Sequence, residues 1–495
     1  MKQSYPLNKL LSSWFHIPHD TAIETMTLDS REVSSGALFI AIKGHQVDGR
    51  QFINRAITEG AVAVLSDAND ASQHGDINYI GEIPIISVFH LSSLLSDIAN
   101  KFYDHPSTKM SVIGVTGTNG KTTITQLIAQ WRDLIDGQAG VMGTTGNGFL
   151  SDMKTAANTT GNAIEVQQQL ALMEQQNATL VAMEISSHGL IQQRVSAVNF
   201  TAALFTNLSR DHLDYHGDME SYEEAKKLLF TTHQPNISIL NCDDPVARGW
   251  INQISPAVSV ATSRDNIDLE QQYLYATEIK YSQQGVMISF SSSWGDGSFS
   301  APLVGKFNVS NLLLALATLL SLGFSLSTLI ATASQLKAVI GRMELFQQTD
   351  KPLAVVDYAH TPDALEKALM ALRVHCKGKL WAIVGCGGDR DRGKRSLMAA
   401  AAVGLSDYTI FTNDNPRNED PSQIIDDMMA GVESKDQIVI EQDREQACHY
   451  ALSRADVDDI ILIAGKGHED YQILADKTIH YSDRETVSRW LGITL

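Results

Sequence analysis

Cysteine is scarce: the 495 residues hold four, Cys242, Cys376, Cys386 and Cys448, and no two stand in a CxxC or other metal-ligand spacing. That excludes a zinc ribbon or a disulfide-built scaffold and leaves ordinary interior thiols in a reducing compartment. Positive charge is short as well. Lys and Arg number 38 against 57 Asp and Glu, for a formal charge of -19, and such a surface repels a nucleic-acid backbone. Any nucleotide must be held in a local pocket. Long apolar runs are missing with one exception: residues 312–330 (LLLALATLLSLGFSLSTLI) carry no charge and have about the length that spans a bilayer. Gly323 and several hydroxyl residues interrupt the run and no second one exists, so the expectation is a buried helix, a turn and a second helix. MKQSYPLNKLLSSWFHIPHD at the N-terminus lacks a sustained apolar core and a small-residue cleavage site, which argues against a signal peptide.

A hydrophobic content of 43% with 19% charged residues describes a folded globular chain, long enough for roughly three domains at about 150 residues each. Apolar runs at 61–65 (AVAVL) and 83–88 (IPIISV) have strand length, with the loop-like DANDASQHGD between them. From SVIGVT (111–116) onward, further buried runs at 179–185, 202–205 and 237–240 alternate with helical intervals, the pattern of a mostly parallel sheet covered on both faces. Residues 286–304 alternate and carry WGDG, which predicts a small antiparallel addition. Beyond 353, strand candidates at 353–358, 380–385, 408–412, 437–441 and 459–465 are separated by helical segments. Polar loops (AHTPD, CGGDRDRGKR, NDNPRNED, KGHED) follow several of their C-terminal ends, where open α/β sheets bind ligands. The expected boundaries lie near 90 and 340, giving α/β domains over 1–90, 91–340 and 341–495.

The sharpest local signal is GVTGTNGKTT, residues 114–123, between a strand and a helix. Closely spaced glycines let successive amides face an anion, and the helix start adds unpaired N–H groups. Lys121 suits the outer phosphates and Thr122 a magnesium ion. Val115 stands where a strict Walker loop has its first glycine. ATP binding follows from this loop, but the reaction does not. On the residues alone, Glu184 and His212, each just past a short strand candidate, read as metal ligands or as hydrogen-bonded structural residues. By the same standard Lys226 in SYEEAKKLLF reads as a solvated helix lysine.

GTNGKTT is followed in order by NTTG (158–161), MEISSHGL (183–190), TNLSRDHLDYHG (206–217), GKFNVSN (305–311), GRME (341–344), DYAHTPD (357–363) and DNPR (414–417). This succession over almost the whole chain resembles the Mur ligase family. The resemblance implies a three-domain Mur ligase architecture of α/β class, with a central P-loop ATPase-like domain and a C-terminal Rossmann-like domain. It implies an ATP-dependent amide ligase of the bacterial cytoplasm. Such an enzyme phosphorylates the D-glutamate γ-carboxylate of UDP-N-acetylmuramoyl-L-alanyl-D-glutamate and lets an amine of meso-2,6-diaminopimelate displace the phosphate.

The resemblance also assigns residues. ATP falls to Gly117, Thr118, Asn119, Gly120, Lys121, Thr122 and Thr123, with Asn308 near the adenine, Arg342 near phosphate and Asp357 at the ribose. The catalytic set is Lys121, Glu184, His212 and Lys226. Magnesium falls to Thr122, Glu184, His212 and Lys226, the last as a carbamate, which YxxAK places on Lys226 rather than on Lys227. The UDP-precursor matches Leu28, Ser30, His45, Gln46 and Val47 at its nucleotide end, then Asn158, Thr159, Thr160, Ser186, Gln192 and Arg194. Diaminopimelate matches Arg390, Asp414, Asn415, Pro416, Arg417, Gly465 and Glu469. Arg417 can pair with the distal carboxylate, while Asp414 or Asn415 accepts from the distal amine. A complete set of sites on one chain is consistent with a monomer. Two other classes compete: a P-loop kinase leaving a stable phosphorylated product, and a nucleotide-controlled binding protein that turns over nothing.

Overall fold

Runs of branched apolar residues too short for helices become strands buried on both faces, and the helical intervals cover them. The computed structural model describes residues 4–18, 20–44, 47–267, 270–282, 285–432, 437–475 and 477–495. Its chain divides into two units, Met1–Ser259 and Val260–Leu495.

The first unit opens with a sheet ordered Thr25–Thr27, Ala37–Ala41, Ala61–Asp67, Ile83–Val88, Ile77–Ile80. The first four strands are parallel and the last is an antiparallel edge. Both expected strands, 61–65 and 83–88, are present, and the polar stretch between them holds only the short turn Ala71–Gln73. A second sheet follows in the order Asp152–Lys154, Gly146–Phe149, Ala139–Gly143, Leu180–Glu184, Ser111–Thr116, Ala202–Phe205, Ile237–Asn241. Its last five strands are parallel. Glu184 is registered opposite Val115, so the glutamate leaves its strand beside the glycine-rich loop. Helix Ala163–Gln175 begins with a capping box between Asn162 and Glu165. Its Ala163 and Ile164 pack into the core of the first sheet, with Leu91 and Leu95.

The second unit begins with an antiparallel ribbon, Gln272–Ser282, Gly285–Ser292 and Gly297–Ala301, one strand more than 286–304 alone predicted. The uncharged run becomes helices Lys306–Ser321 and Leu326–Thr332, broken at Gly323, whose φ of +88° favours glycine. Among the described residues no helix is long and apolar enough to cross a membrane.

The C-terminal sheet is ordered Glu344–Phe346, Leu353–Asp357, Ile460–Ala464, Leu380–Val384, Tyr408–Phe411, Ile438–Ile440. All but the first strand are parallel. Alternate residues enter opposite cores: Leu353, Val355, Ala382 and Val384 on one face, Ala354, Val356, Trp381 and Ile383 on the other. Asp357 and Val384 are both registered with Ala464, and Val384 with Phe411. Four polar loops therefore leave one edge side by side.

Candidate functional site

Strand Ser111–Thr116 passes through Gly117–Gly120 directly into helix Lys121–Leu134. Gly117 (φ +139°) and Gly120 (φ +89°) take conformations that L side chains resist, and a Cβ on Gly117 would collide with Thr206 Oγ1. The loop is braced by the strand end beside it. Thr118 N donates to Asn207 O (2.8 Å), Asn119 N to Asn207 Oδ1 (3.1 Å), and Thr206 Oγ1 to Asn119 O (2.6 Å). Lys121 Nζ folds back to donate to Gly117 O and Thr118 O, both at 2.9 Å. Thr122 and Thr123 sit half-buried in the first helical turn.

Glu184 is buried, and its carboxylate accepts from Thr122 Oγ1 (2.9 Å), Thr144 N (2.9 Å) and Thr144 Oγ1 (3.2 Å). Burial raises its pKa against the opposing pull of Lys121 and these hydrogen bonds. Only a glycine fits at 143, because a Cβ there would strike that carboxylate. Lys226, from helix Met219–Thr231, is not the solvated lysine that composition suggests. Its side chain is 1% exposed, its Nζ donates to Gly117 O (2.9 Å) and lies 4.3 Å from the Tyr222 ring centre. Burial, with Lys121 nearby, holds its pKa well below the ordinary lysine value. His212 is exposed at φ +53°, its ring edge-on to His188 at 5.0 Å. Among the described residues no three His, Cys, Asp or Glu side chains form a metal-sized group. Thr122 and Glu184 do meet, as hard oxygen donors of the kind magnesium takes.

The residues matched to the sugar-peptide largely converge. Thr160 Oγ1 donates to Glu184 O and accepts from Ser186 N, both at 2.9 Å. Arg194 Nη1 donates to Thr160 O (2.8 Å), and its Nε and Nη2 fork onto Gln192 Oε1 (2.9 and 2.6 Å). Thr159 Oγ1 and Thr144 Oγ1 are 3.0 Å apart. Asn158 is exposed. At the nucleotide end Ser30 is buried, Leu28 packs on the first core and Val47 is exposed. His45 and Gln46 lie outside the described residues.

In the second unit Asn308 is buried within its own helix start, donating to Val304 O (2.7 Å) and accepting from Asn311 (3.0 Å). Asp357 accepts from Met343 N (2.8 Å) and Ala359 N (2.9 Å), and burial raises its pKa. Arg342 stacks its guanidinium 4.7 Å over the Tyr358 ring.

The loops after Phe411 and Ala464 carry six of the seven diaminopimelate candidates, all but Arg390. Asp414 and Asn415 are buried and face Glu469, with Asn415 Nδ2 3.3 Å from Glu469 Oε2. A Cβ on Gly465, at φ +118°, would stand 3.6 Å from Asp414 Oδ2. Arg417, also left-handed at φ +52°, is locked by its backbone to Ile473 O (3.1 Å) and Ala475 N (2.7 Å). Its Nη1 donates to Gly388 O at 2.8 Å. Arg390 is exposed and donates to Asp389 O. A Cβ on Gly387 would stand 2.9 Å from Arg417 Nη1 and 3.7 Å from Arg390 Cγ, so the two guanidinium chains flank it. Pro416, just before Arg417, is buried.

Several residues of this neighbourhood were not singled out by sequence. Lys466 is fully buried among Asp414, Asn415 and Glu469, and its place in the polar KGHED loop after a strand was the available signal. Gly341 approaches Gly467 so closely that a Cβ would collide with the Gly467 and His468 backbone. Arg395, buried on helix Gly393–Leu405, forks onto Glu419 (2.8 and 3.0 Å) and reaches Asp427 (2.7 Å). It thereby ties that helix to the segment following DNPR.

Comparison with known proteins adds to this geometry. Three family models match in order: the Mur ligase family catalytic domain over residues 22–103, the Mur ligase middle domain over 115–319, and the Mur ligase glutamate ligase domain over 341–467. The UDP-N-acetylmuramoyl-L-alanyl-D-glutamate–2,6-diaminopimelate ligase of Vibrio vulnificus is 52% identical over 100% of both chains. Its namesake in Haemophilus influenzae is 50% identical over 96% of this chain and 98% of that one. A solved structure of a ligase of the same name is 34% identical and superposes with a TM-score of 0.75 over 99% of each chain. The D-alanyl-D-alanyl-adding ligase of Acinetobacter baumannii shares the fold at a TM-score of 0.66 and 18% identity, covering 94% of this chain and 95% of that one.

Proposed function

The chain belongs to the Mur ligase family, and we propose that it is the ATP-dependent ligase joining meso-2,6-diaminopimelate to UDP-N-acetylmuramoyl-L-alanyl-D-glutamate. The observation that carries the choice of amino acid is the pairing of opposite charges at one sheet edge. The polar loops at this edge carry the Arg417 guanidinium, resting on Gly388 O, and the carboxylates of Asp414 and Glu469, gathered at Lys466, which suits a distal group that is both ammonium and carboxylate. Lysine, with a distal ammonium alone, offers Arg417 no carboxylate.

Chemistry proceeds in two stages. Lys121 and the amides of Gly117–Lys121 hold the ATP phosphates, and the γ-phosphoryl group passes to the D-glutamate γ-carboxylate, releasing ADP. The acyl phosphate is then attacked by the diaminopimelate amine. The amide bond forms as the carbon–oxygen bond to phosphate breaks, and the amine proton leaves to solvent or phosphate. Holding carboxylate, phosphoryl group and amine together removes much of the entropic barrier. Thr122, Glu184, His212 and Lys226 would hold magnesium, which neutralises phosphate oxygens that otherwise repel the attacking carboxylate. Lys226 supplies oxygen only after its amine has added carbon dioxide as a carbamate. Its burial favours the neutral amine that this addition needs.

Ser30, Leu28, His45, Gln46, Val47, Asn158 to Thr160, Ser186, Gln192 and Arg194 take the UDP-precursor in this reading. Asn308, Arg342 and Asp357 take the adenosine and phosphates. Domain boundaries near 90 and 340, a cytoplasmic location and a monomer complete it.

The test is phosphate release and product mass with UDP-N-acetylmuramoyl-L-alanyl-D-glutamate, ATP, magnesium and diaminopimelate. A ligase releases phosphate only with both acceptors present and yields a product heavier by diaminopimelate less water. A stable phosphorylated product would make the chain a kinase, and no turnover a binding protein.

A further inference from the structure

We infer that Lys466 is a positioning residue of the amino-acid pocket: its buried ammonium, bonded also to Asn415, sets Asp414 and Glu469 as acceptors for the distal ammonium of diaminopimelate. The inference rests on the function proposed above. Lys466 follows strand Ile460–Ala464 after the left-handed Gly465 and has no exposed surface. Its Nζ lies 3.1 Å from Asn415 Oδ1, 3.3 Å from Asp414 Oδ1 and 3.4 Å from Glu469 Oε2. An ammonium has three protons to donate, and all three have a partner here. The acceptors come from loops that leave different strands, so one cation joins the DNPR turn to the KGHED loop.

Without that cation, the carboxylates of Asp414 and Glu469 would lose the charge they share. The Asn415 Nδ2 to Glu469 Oε2 bond (3.3 Å) would still join Glu469 to the DNPR turn. Arg444 cannot substitute. It is itself buried, and its guanidinium is committed to Asp483 (2.8 Å twice) and Ala464 O (2.8 Å). The turn is also held from its far side: Gln472 Nε2 donates to Asp414 O (2.6 Å) and Ile473 N to Asn415 Oδ1 (3.0 Å). These bonds fix the turn's backbone, while Lys466 fixes where its carboxylate points. Having no exposed surface, Lys466 acts through these three side chains and not by touching the ligand.

The distinguishing probe is 2-aminopimelate, which keeps the distal carboxylate but lacks the distal amine. In the full-length enzyme, Lys466→Met keeps the side chain's length and removes the charge, and Lys466→Gln restores part of its donor capacity. For Lys466→Met the KM for diaminopimelate should rise about ten- to a hundredfold, as for a lost charged hydrogen bond, with kcat changed far less. The preference for diaminopimelate over 2-aminopimelate should fall by a similar factor, and Lys466→Gln should lie between Met and wild type. A merely structural role would lower both amino acids alike and leave their ratio unmoved. Should Lys466→Met fail to unfold cooperatively or to bind the UDP-precursor, the ratio in Lys466→Gln decides. A wild-type ratio in the folded variants, or equal losses for both amino acids, overturns the inference. A wild-type enzyme that forms no amide with diaminopimelate instead refutes the function on which it rests.

Discussion

Lys121 and Lys226 donate to the same carbonyl: each Nζ lies 2.9 Å from Gly117 O. Burial and the Lys121 charge beside it favour the neutral amine at Lys226, and among the described residues no carboxylate forms an ion pair with it within 4 Å. Conversion of Lys226 to a carbamate gives it a negative charge that Lys121 attracts.

Lys226→Ala should fold, since the exchange removes a buried polar amine with one hydrogen bond to Gly117 O, yet lose turnover. Added formate or acetate should restore part of it by returning carboxylate oxygens to the cavity. Activity assays with and without the anion, beside mass or carbon-13 detection of the carbamate, check this. Full activity from bicarbonate-depleted enzyme carrying an unmodified lysine would rule it out.

Glu184 separates stability from catalysis. Its pKa is raised in the folded chain by burial. The group thus contributes stability that is fully present below its unfolded value, about 4.3, and lost as pH rises through the higher folded value. Above that folded value the ionised carboxylate is a net cost to the ligand-free fold. Glu184→Gln keeps an acceptor for Thr144 N without the charge. Its ligand-free Tm should exceed the wild-type value at pH 8, and the gap should close toward pH 4. Turnover with magnesium and ATP should fall by roughly a hundredfold or more, as when a group stabilising transition-state charge is removed. Thermal melts across pH, run beside phosphate release, test both halves; an unchanged kcat would remove Glu184 from the proposed magnesium set.

Gly341 is a packing requirement with functional consequences. At φ +67°, with the Gly467 and His468 backbone where its Cβ would be, it lets the GRME turn lie against the KGHED loop. Gly341→Ala should cost about 1–3 kcal/mol through backbone strain and more if the loops separate. Because Arg342 and Lys466 flank this contact in sequence, KM should rise for ATP and for diaminopimelate together, while the UDP-precursor KM stays near wild type. Melting curves and the three KM values measure it. A change confined to the UDP-precursor would contradict the argument.

How much of this was legible in sequence depends on whether a residue's partners are close along the chain. Leu180–Glu184 and Ile460–Ala464 are uniformly buried parallel strands, and an unbroken apolar run bounded by polar loops identifies such strands directly. Ala139–Gly143 is equally buried, yet AGVMG carries two glycines and lacks the β-branched density that marks a strand. It forms because Leu180–Glu184 supplies its hydrogen-bond partners. Lys226 and Lys466 failed for a different reason. A lysine in a polar helix or loop is solvated by default, and only contacts across the fold, to Gly117 in one case and to Asp414 and Asn415 in the other, reveal its burial. The resemblance supplied Lys226, because YxxAK belongs to a pattern. Nothing comparable marked Lys466.

Arg417 offers the cleanest test of amino-acid choice, because its backbone and side chain have separate partners. The backbone is held by Ile473 O and Ala475 N, so truncating the side chain leaves the turn anchored, and alanine meets the same left-handed φ of +52° that arginine already bears. What is lost is the guanidinium, whose Nη1 now rests on Gly388 O and has donors left for a carboxylate. A buried bidentate pair lost with the distal carboxylate of diaminopimelate costs about 2–5 kcal/mol. That corresponds to a loss of roughly thirty- to several-thousand-fold in kcat/KM. Lysine has no distal carboxylate and should lose much less, yet Arg417→Ala should not become a good lysine ligase, since removing one attraction builds no pocket for the other substrate. The comparison is kcat/KM for both amino acids at saturating ATP and UDP-precursor, with Tm as the check on folding. Near-normal efficiency with diaminopimelate would sink the assignment of Arg417 to the distal carboxylate. Equal losses for both amino acids would move its role to holding the Gly387–Arg390 loop, through the same Gly388 carbonyl it contacts now.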